Sequence, residues 1–441
     1  MSLHQSMYDR TEMTTCYEER PGPTPLFERM ESLDIQIWLD CNPENAIKSE
    51  RYISEIVVPL CQNARNLQSL KIRQQFYYYD DNSIDTSIDL PRNLLENAPS
   101  LQTLKFELVS PPANSTFFLP NLTRINWFDP ALKTPASFED LLNFFESSPQ
   151  LEFIWISVRT LPGQPSKEVT LKNLLEFEWT DRYGSNSLVP YIIAPKLTRL
   201  EINLASDRNP QQAQPTTPSS ILPSDRVHIP LLSEPTTMVY VCNSYQGCAL
   251  HYPACGHKLR VFEHKSQEDP SNWFSRLVHP ISFSMVHKLG IESLVGYSPP
   301  VDFPIREFEN LNELYLRGNV ELLLPILLGP KHDEQEPCIP KLSKIHISDC
   351  PNRSRFTLST LTDILRQRKE AGCTAVRIVC IPRLYHEDPD IEALREVAGD
   401  VFFNPDVFDY RALNAEYVFP EAEEDRISDS SWGYVKLSVE V

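Results

Sequence analysis

A short phrase recurs along this chain: an apolar residue, two variable positions, a second apolar residue, one variable position, and a third. It stands as Leu67-Leu70-Ile72, Leu101-Leu104-Phe106, Leu122-Ile125-Trp127, Leu151-Ile154-Ile156, Leu174-Phe177-Trp179, Leu197-Leu200-Ile202, Leu311-Leu314-Leu316 and Leu342-Ile345-Ile347. Weaker copies are Met30-Leu33-Ile35, Val286-Leu289-Ile291 and Cys373-Val376-Ile378. Between Leu67 and Leu197 the strong copies begin 34, 21, 29, 23 and 23 residues apart. One unit of that size cannot bury its own apolar face, so it stacks on neighbours, and leucine-rich repeats of about 20–29 residues are such units. The expected fold class is therefore α/β: a leucine-rich-repeat-like solenoid, an irregular parallel-sheet horseshoe with helices on the outer side. A doubly wound α/β sheet also alternates helix and strand. It would not repeat one phrase, and no Gly-rich turn follows these strands.

The apolar spacing between the phrases supports that reading. Ile53, Ile56, Val57 and Leu60 fall on one side of a helix within 46–62, and Phe138, Leu141, Leu142, Phe144 and Phe145 mark a stronger one. Leu358, Leu361, Ile364 and Leu365 mark a third before a strand at 375–381. Residues 1–25 read as a flexible leader and 26–204 as the first part of the array. Residues 205–236, with the run AsnProGlnGlnAlaGlnPro, read as a loop or linker. The array continues over 237–412 and ends in an acidic tail, 413–441, whose alternating last residues could dock as an edge strand.

Composition narrows the function. The net charge of −19 disfavours binding to nucleic acid or to an anionic membrane surface. No apolar run is long enough for a spanning helix, and the first residues lack a secretory pattern. Unpaired cysteine spacing in such a chain fits a reduced, cytoplasmic or nuclear setting. Only 12 Gly stand beside 38 Pro, which suits frequent turns and argues against Gly-rich phosphate loops. No nucleophile elbow, Walker loop, dinucleotide fingerprint or HExxH motif is present, so the chain reads as a non-enzyme with no cofactor.

Two sets of residues are candidates for function. Those between the leucines face outward, on the concave side of such an array, where repeat proteins take their partners. They include Gln68, Lys71, Gln102, Lys105, Asn126, Glu152, Trp155, Glu178, Glu201, Tyr315 and His346, with Trp155 and Tyr315 as aromatic anchors. The second set is Cys242, Cys248, His251, Cys255 and His257, soft ligands of the kind zinc prefers. Their spacing, C-x5-C-x2-H-x3-C-x-H, matches no familiar zinc pattern, and the plainer expectation is a loop in an irregular repeat. Asn319 and Cys350 stand three residues after the last apolar position of their phrases, where the repeat consensus carries a turn-satisfying Asn or Cys.

The phrases AlaArgAsnLeuGlnSerLeuLysIle, AlaProSerLeuGlnThrLeuLysPhe and LeuProAsnLeuThrArgIleAsnTrp resemble those of fungal F-box proteins with degenerate leucine-rich repeats, a likeness over roughly residues 26–400. The resemblance implies that the repeats choose a substrate for a cullin-type ubiquitin ligase. The F-box itself, an N-terminal helical segment, is not recognisable here, so adaptor docking is expected only if one lies upstream. The expected function is thus a protein-recognition scaffold with a partner of unknown identity. The alternatives are a stand-alone repeat protein without a ligase role, or a zinc-binding protein built on the Cys/His cluster.

Overall fold

A computed structural model describes residues 2–5, 30–39, 53–76, 88–90, 93–95, 98–107, 109–110, 119–129, 137–158, 165–181, 187–204, 222–223, 228–232, 237–242, 245–252, 257–264, 281–293, 305–318, 320, 324–327, 339–349, 356–403 and 435–440. The chain is mixed α/β with parallel sheets and few helices, and falls into two compact units, Met1–Leu197 with Arg426–Val441, and Thr198–Asp425.

The first unit contains β1 (Ser2–Gln5), β2 (Ser32–Leu39), β3 (Ser69–Phe76), β4 (Ile88–Asp89), β5 (Thr103–Glu107), β6 (Val109–Ser110), β7 (Arg124–Asp129), β8 (Phe153–Val158), β9 (Val169–Thr170), β10 (Glu176–Asp181) and β11 (Ile192–Ile193). Strands β2, β3, β5, β7, β8 and β10 pair in that order, all parallel. Two small parallel pairs, β4–β6 and β9–β11, stand apart from this ladder. The register is constant. Leu33, Leu70, Leu104, Ile125, Ile154 and Phe177 form one row across the six strands, and Ile35, Ile72, Phe106, Trp127, Ile156 and Trp179 form the next. All twelve are buried, so the second and third positions of the phrase share one apolar face.

The first position has a different task. Leu67, Leu101, Leu122, Leu151, Leu174 and Leu197 each donate a backbone N–H to the carbonyl three residues back, closing a turn on Ala64, Ala98, Leu119, Ser148, Leu171 or Ala194. The carbonyl of the next residue, as at Gln68, Gln102 and Glu152, then accepts two N–H groups from the following repeat. Gln68 O, for example, takes Gln102 N at 2.8 Å and Thr103 N at 2.9 Å. Each turn is thereby pinned to its neighbour before the strand begins, and that fixes the register.

The first of the helices, α1 (Val58–Asn63), precedes β3, and α2 (Phe138–Glu146) precedes β8. Ser137 caps α2 in a reciprocal box with Asp140, and the Phe138 ring lies 6.1 Å from Trp179, which places α2 against the apolar face.

The second unit contains β12 (Arg199–Leu204), β13 (Thr237–Cys242), β14 (Tyr245–Tyr252), β15 (His257–His264), β16 (Lys288–Ser293), β17 (Glu313–Gly318), β18 (Lys344–Asp349), β19 (Ile378–Ile381) and β20 (Asp400–Phe403), with α3 (Leu358–Glu370) and α4 (Ile391–Val397). From β13 onward the parallel order is β13, β16, β17, β18, β19, β20. Before it lies an antiparallel meander: β14 sits between β13 and β15, and β15 runs parallel beside β12. Of the Cys/His cluster, Cys242, Cys248, His251 and His257 therefore fall on strands rather than in the expected loop. The β-branched and aromatic run ThrMetValTyrValCys suits a strand.

The copy Cys373-Val376-Ile378 is out of step with the ladder. Ile345 pairs with Val379, so the phrase of β19 is Val376-Val379-Ile381, and those three residues are buried. Finally β21 (Val435–Glu440) returns to the first unit, antiparallel to both β2 and β1. The tail thus supplies an interior strand rather than an edge, and β1 falls within the expected leader. No helix among the described residues is long and apolar enough to cross a membrane.

Candidate functional site

Alternation along each strand turns the residues between the inward rows to the opposite face. In the first unit the central outward row reads Asp34, Lys71, Lys105, Asn126, Trp155, Glu178. The structure thus brings five of the expected recognition residues into line on adjacent strands. Gln68, Gln102 and Glu152 are not among them. They precede the strands, where their carbonyls hold the next repeat. Glu201 belongs to the second unit, in register with Arg260, and its carboxylate lies 3.5 Å from Arg199.

The outward row is flanked by two others. Two residues before it in each strand stand Arg124 and Phe153, and two after it Arg73 and Glu107. Arg73 Nη2 donates to Asp34 Oδ2 at 2.9 Å, and Lys71 Nζ lies 3.9 Å from the same oxygen. The pair is end-on, leaving Asp34 Oδ1 and Arg73 Nε buried without a hydrogen-bond partner. Lys105 Nζ meets Glu107 at 2.5 Å. The Arg124 guanidinium sits 4.2 Å above the centre of the Phe153 ring. Partial burial lowers the Lys71 pKa, and the positive charges of Lys105 and Arg73 lower it further against the pull of Asp34 and Glu107.

In the second unit the corresponding row is Gly290, Tyr315, His346, Cys380, Phe402. Tyr315 is no exposed anchor: it is 7% exposed, its ring stacked on His346 at 4.3 Å and 7°. Its hydroxyl donates to Glu313 Oε2 at 2.8 Å, while Lys344 Nζ reaches Glu313 Oε1 at 3.1 Å and Lys288 Nζ lies 3.3 Å from Oε2. Burial alone would raise the Glu313 pKa, but the hydrogen bonds from Tyr315 and Lys344 and the nearby Lys288 leave it lowered. Burial, then the Glu313 hydrogen bond, raises that of Tyr315. Both ring nitrogens of His346 are buried without a hydrogen-bond partner. Burial also raises the Cys380 thiol, so this row offers no activated nucleophile. At its end Phe402 is 51% exposed.

The register separates the proposed zinc ligands. Cys242 pairs with Gln246 and His257 with Tyr252, six residues apart on β14. At about 3.3 Å per residue those rows lie ~20 Å apart, beyond the span of one tetrahedral site. Cys248 pairs with Tyr240 and His251 with Thr237, so these two occupy separate rows between the others. Cys255, Asn319 and Cys350 lie outside the described residues. Among those described, no group of three His, Cys, Asp or Glu is arranged to hold a metal ion.

No protein-family model matches the chain, and no curated protein matches it.

Proposed function

We propose that the chain is a non-enzymatic protein-recognition scaffold: a leucine-rich-repeat array whose outward strand faces bind a partner protein. The observation that supports this reading is the strict division of the ladder. In the six-stranded ladder of the first unit two rows are apolar and buried, while the row between them carries Lys71, Lys105, Asn126, Trp155 and Glu178 on consecutive strands. A many-stranded display of charged and aromatic side chains suits a macromolecular surface better than a small substrate, which requires an enclosing pocket. Within this reading, the resemblance to F-box proteins adds the finer role of substrate receptor for a cullin-type ubiquitin ligase in the cytoplasm or nucleus.

The two levels separate experimentally. A photo-crosslinking residue at Asn126 should capture a partner that the same residue at the exposed turn position Arg65 does not. Equal capture from both positions would overturn the face assignment. Co-purification with the cullin adaptor tests the ligase role, and failure to associate would leave a stand-alone recognition protein.

A further inference from the structure

The outward rows of β3, β5 and β7 carry more positive than negative groups in a chain whose net charge is −19, while the carboxylates Glu176 and Glu178 of the same face stand on β10, two strands beyond β7. Lys71 and Arg73 on β3, Lys105 on β5 and Arg124 on β7 occupy adjacent strands. Against these four cations stand two carboxylates. Asp34 is shared between Lys71 and Arg73, and Glu107 is held by Lys105. Arg124 forms no ion pair among the described residues and rests on an aromatic ring instead. Burial lowers the Lys71 pKa first, and the like charges of Lys105 and Arg73 lower it further. Lys71, Arg73 and Lys105 keep 25%, 23% and 31% of their side chains accessible, so the cations are partly desolvated yet reachable. One strand further on, Trp155 shares the row with Asn126.

We propose that the face formed by β3, β5 and β7 docks a carboxylate-rich peptide segment of a partner protein. Its Asp and Glu side chains meet Lys71, Arg73, Lys105 and Arg124, with Trp155 packing beside them. Charge complementarity is the argument: the face has two more positive than negative groups, and partly desolvated cations gain more from an incoming anion than solvated ones. The same net charge of −19 that disfavours a nucleic acid, whose backbone would extend over the acidic remainder of the chain, is compatible with a short segment confined to this face. The inference rests on the recognition reading and adds the chemistry of the partner.

Fluorescence anisotropy on the full chain tests it, with a short labelled peptide alternating Glu and Ser as probe and its Gln/Ser counterpart as control. The Glu peptide should bind and the Gln peptide should not. Lys105→Glu and Arg124→Glu should each weaken binding about tenfold, about 1.4 kcal/mol, with melting curves unchanged. Lys105→Arg should retain affinity. Arg124 is exposed and outside the core, so its variant folds even if a change at Lys71 or Lys105 does not. Absence of Glu-peptide binding, insensitivity to both reversals, or preference for a single-stranded oligonucleotide would overturn the proposal. So would tighter peptide binding after Glu421, Glu423 and Glu424 are changed to Gln, which would assign the face to the chain's own acidic segment. Partner capture at Asn126 without peptide binding would remove this inference and leave the recognition reading standing.

Discussion

His346 occupies an outward position yet is held as a neutral, partly buried group. It faces Tyr315, Glu313, Lys344 and Lys288 on its own and neighbouring strands, with Cys380 across the other ladder. Burial lowers its pKa below the ordinary 6.5, Lys344 and Lys288 add to that, and Glu313 opposes it. The unfolded chain therefore binds this proton more readily than the folded one. Stability is fully retained above about pH 6.5 and falls as pH drops below it. His346→Gln should flatten that fall, so the melting temperatures of parent and variant converge between pH 7 and about 5.5. Parallel curves over that range would refute the assignment. Arg368 makes a sharper case. It is 3% exposed and donates to Leu327 O and Ile339 O, each at 2.8 Å. Ile339 holds φ at +52°, a costly conformation for a β-branched residue, in the turn that leads into β18. Arg368 thus braces a strained turn from the far end of α3. Arg368→Met should cost about 3 kcal/mol in urea unfolding, because two buried carbonyls lose charged donors.

The strand, its turn and the helix before it form the element-scale unit, and the sequence reveals them unevenly. Wherever the phrase is intact its three apolar positions are buried and the strand begins within two residues of the expected place. The physical reason is direct, since a two-residue period on a half-buried strand leaves no other way to hide those side chains. Helix α2 was equally legible from Phe138, Leu141, Leu142, Phe144 and Phe145, of which all but the half-buried Phe144 are buried. The turns before the leading Leu were marked by phrases such as AlaProSer and SerProGln, but those phrases do not show that the carbonyl three residues back, as at Ala98 and Ser148, accepts the N–H of that Leu. The meander β13–β15 escaped as well: its strands pair with their sequence neighbours, but none of them carries the phrase that marks the other strands. The copy at β19 slipped by three residues because Cys373 mimics the leading position that Val376 fills. On the candidate face, Lys71, Lys105 and Trp155 were visible from the phrase, whereas Arg73 and Arg124 needed the register. Leu151 shows what the unit is worth. It is fully buried, closes the turn on Ser148 and stands at the start of the strand that joins β7 to β10. Leu151→Ala should destabilise the protein by roughly 2–5 kcal/mol, read as a lowered denaturation midpoint, and a change under 1 kcal/mol would contradict its place in the shared core.

At the scale of the whole molecule, the charge of the chain and the charge of its β3–β7 face oppose each other. A carboxylate-rich peptide approaching from solution first meets the field of a body with net charge −19 and is repelled. Only within a few ångströms of Lys71, Lys105 and Arg124 does attraction prevail. Salt acts differently on the two regimes, because the Debye length shrinks from about 30 Å at 0.01 M to about 10 Å at 0.1 M ionic strength. Long-range repulsion is screened first, so the association rate should rise with salt over that interval. The close contacts are weakened too, so the dissociation rate should rise in parallel and the equilibrium constant should change less than either rate. Electrostatic steering by a uniformly basic protein gives the reverse, an association rate that falls with salt. Stopped-flow anisotropy with the Glu/Ser peptide at low and moderate salt separates these behaviours. An association rate that falls across that interval would mean the peptide lands on a face whose field extends well beyond four cations, and the basic patch drawn from β3, β5 and β7 would be too small.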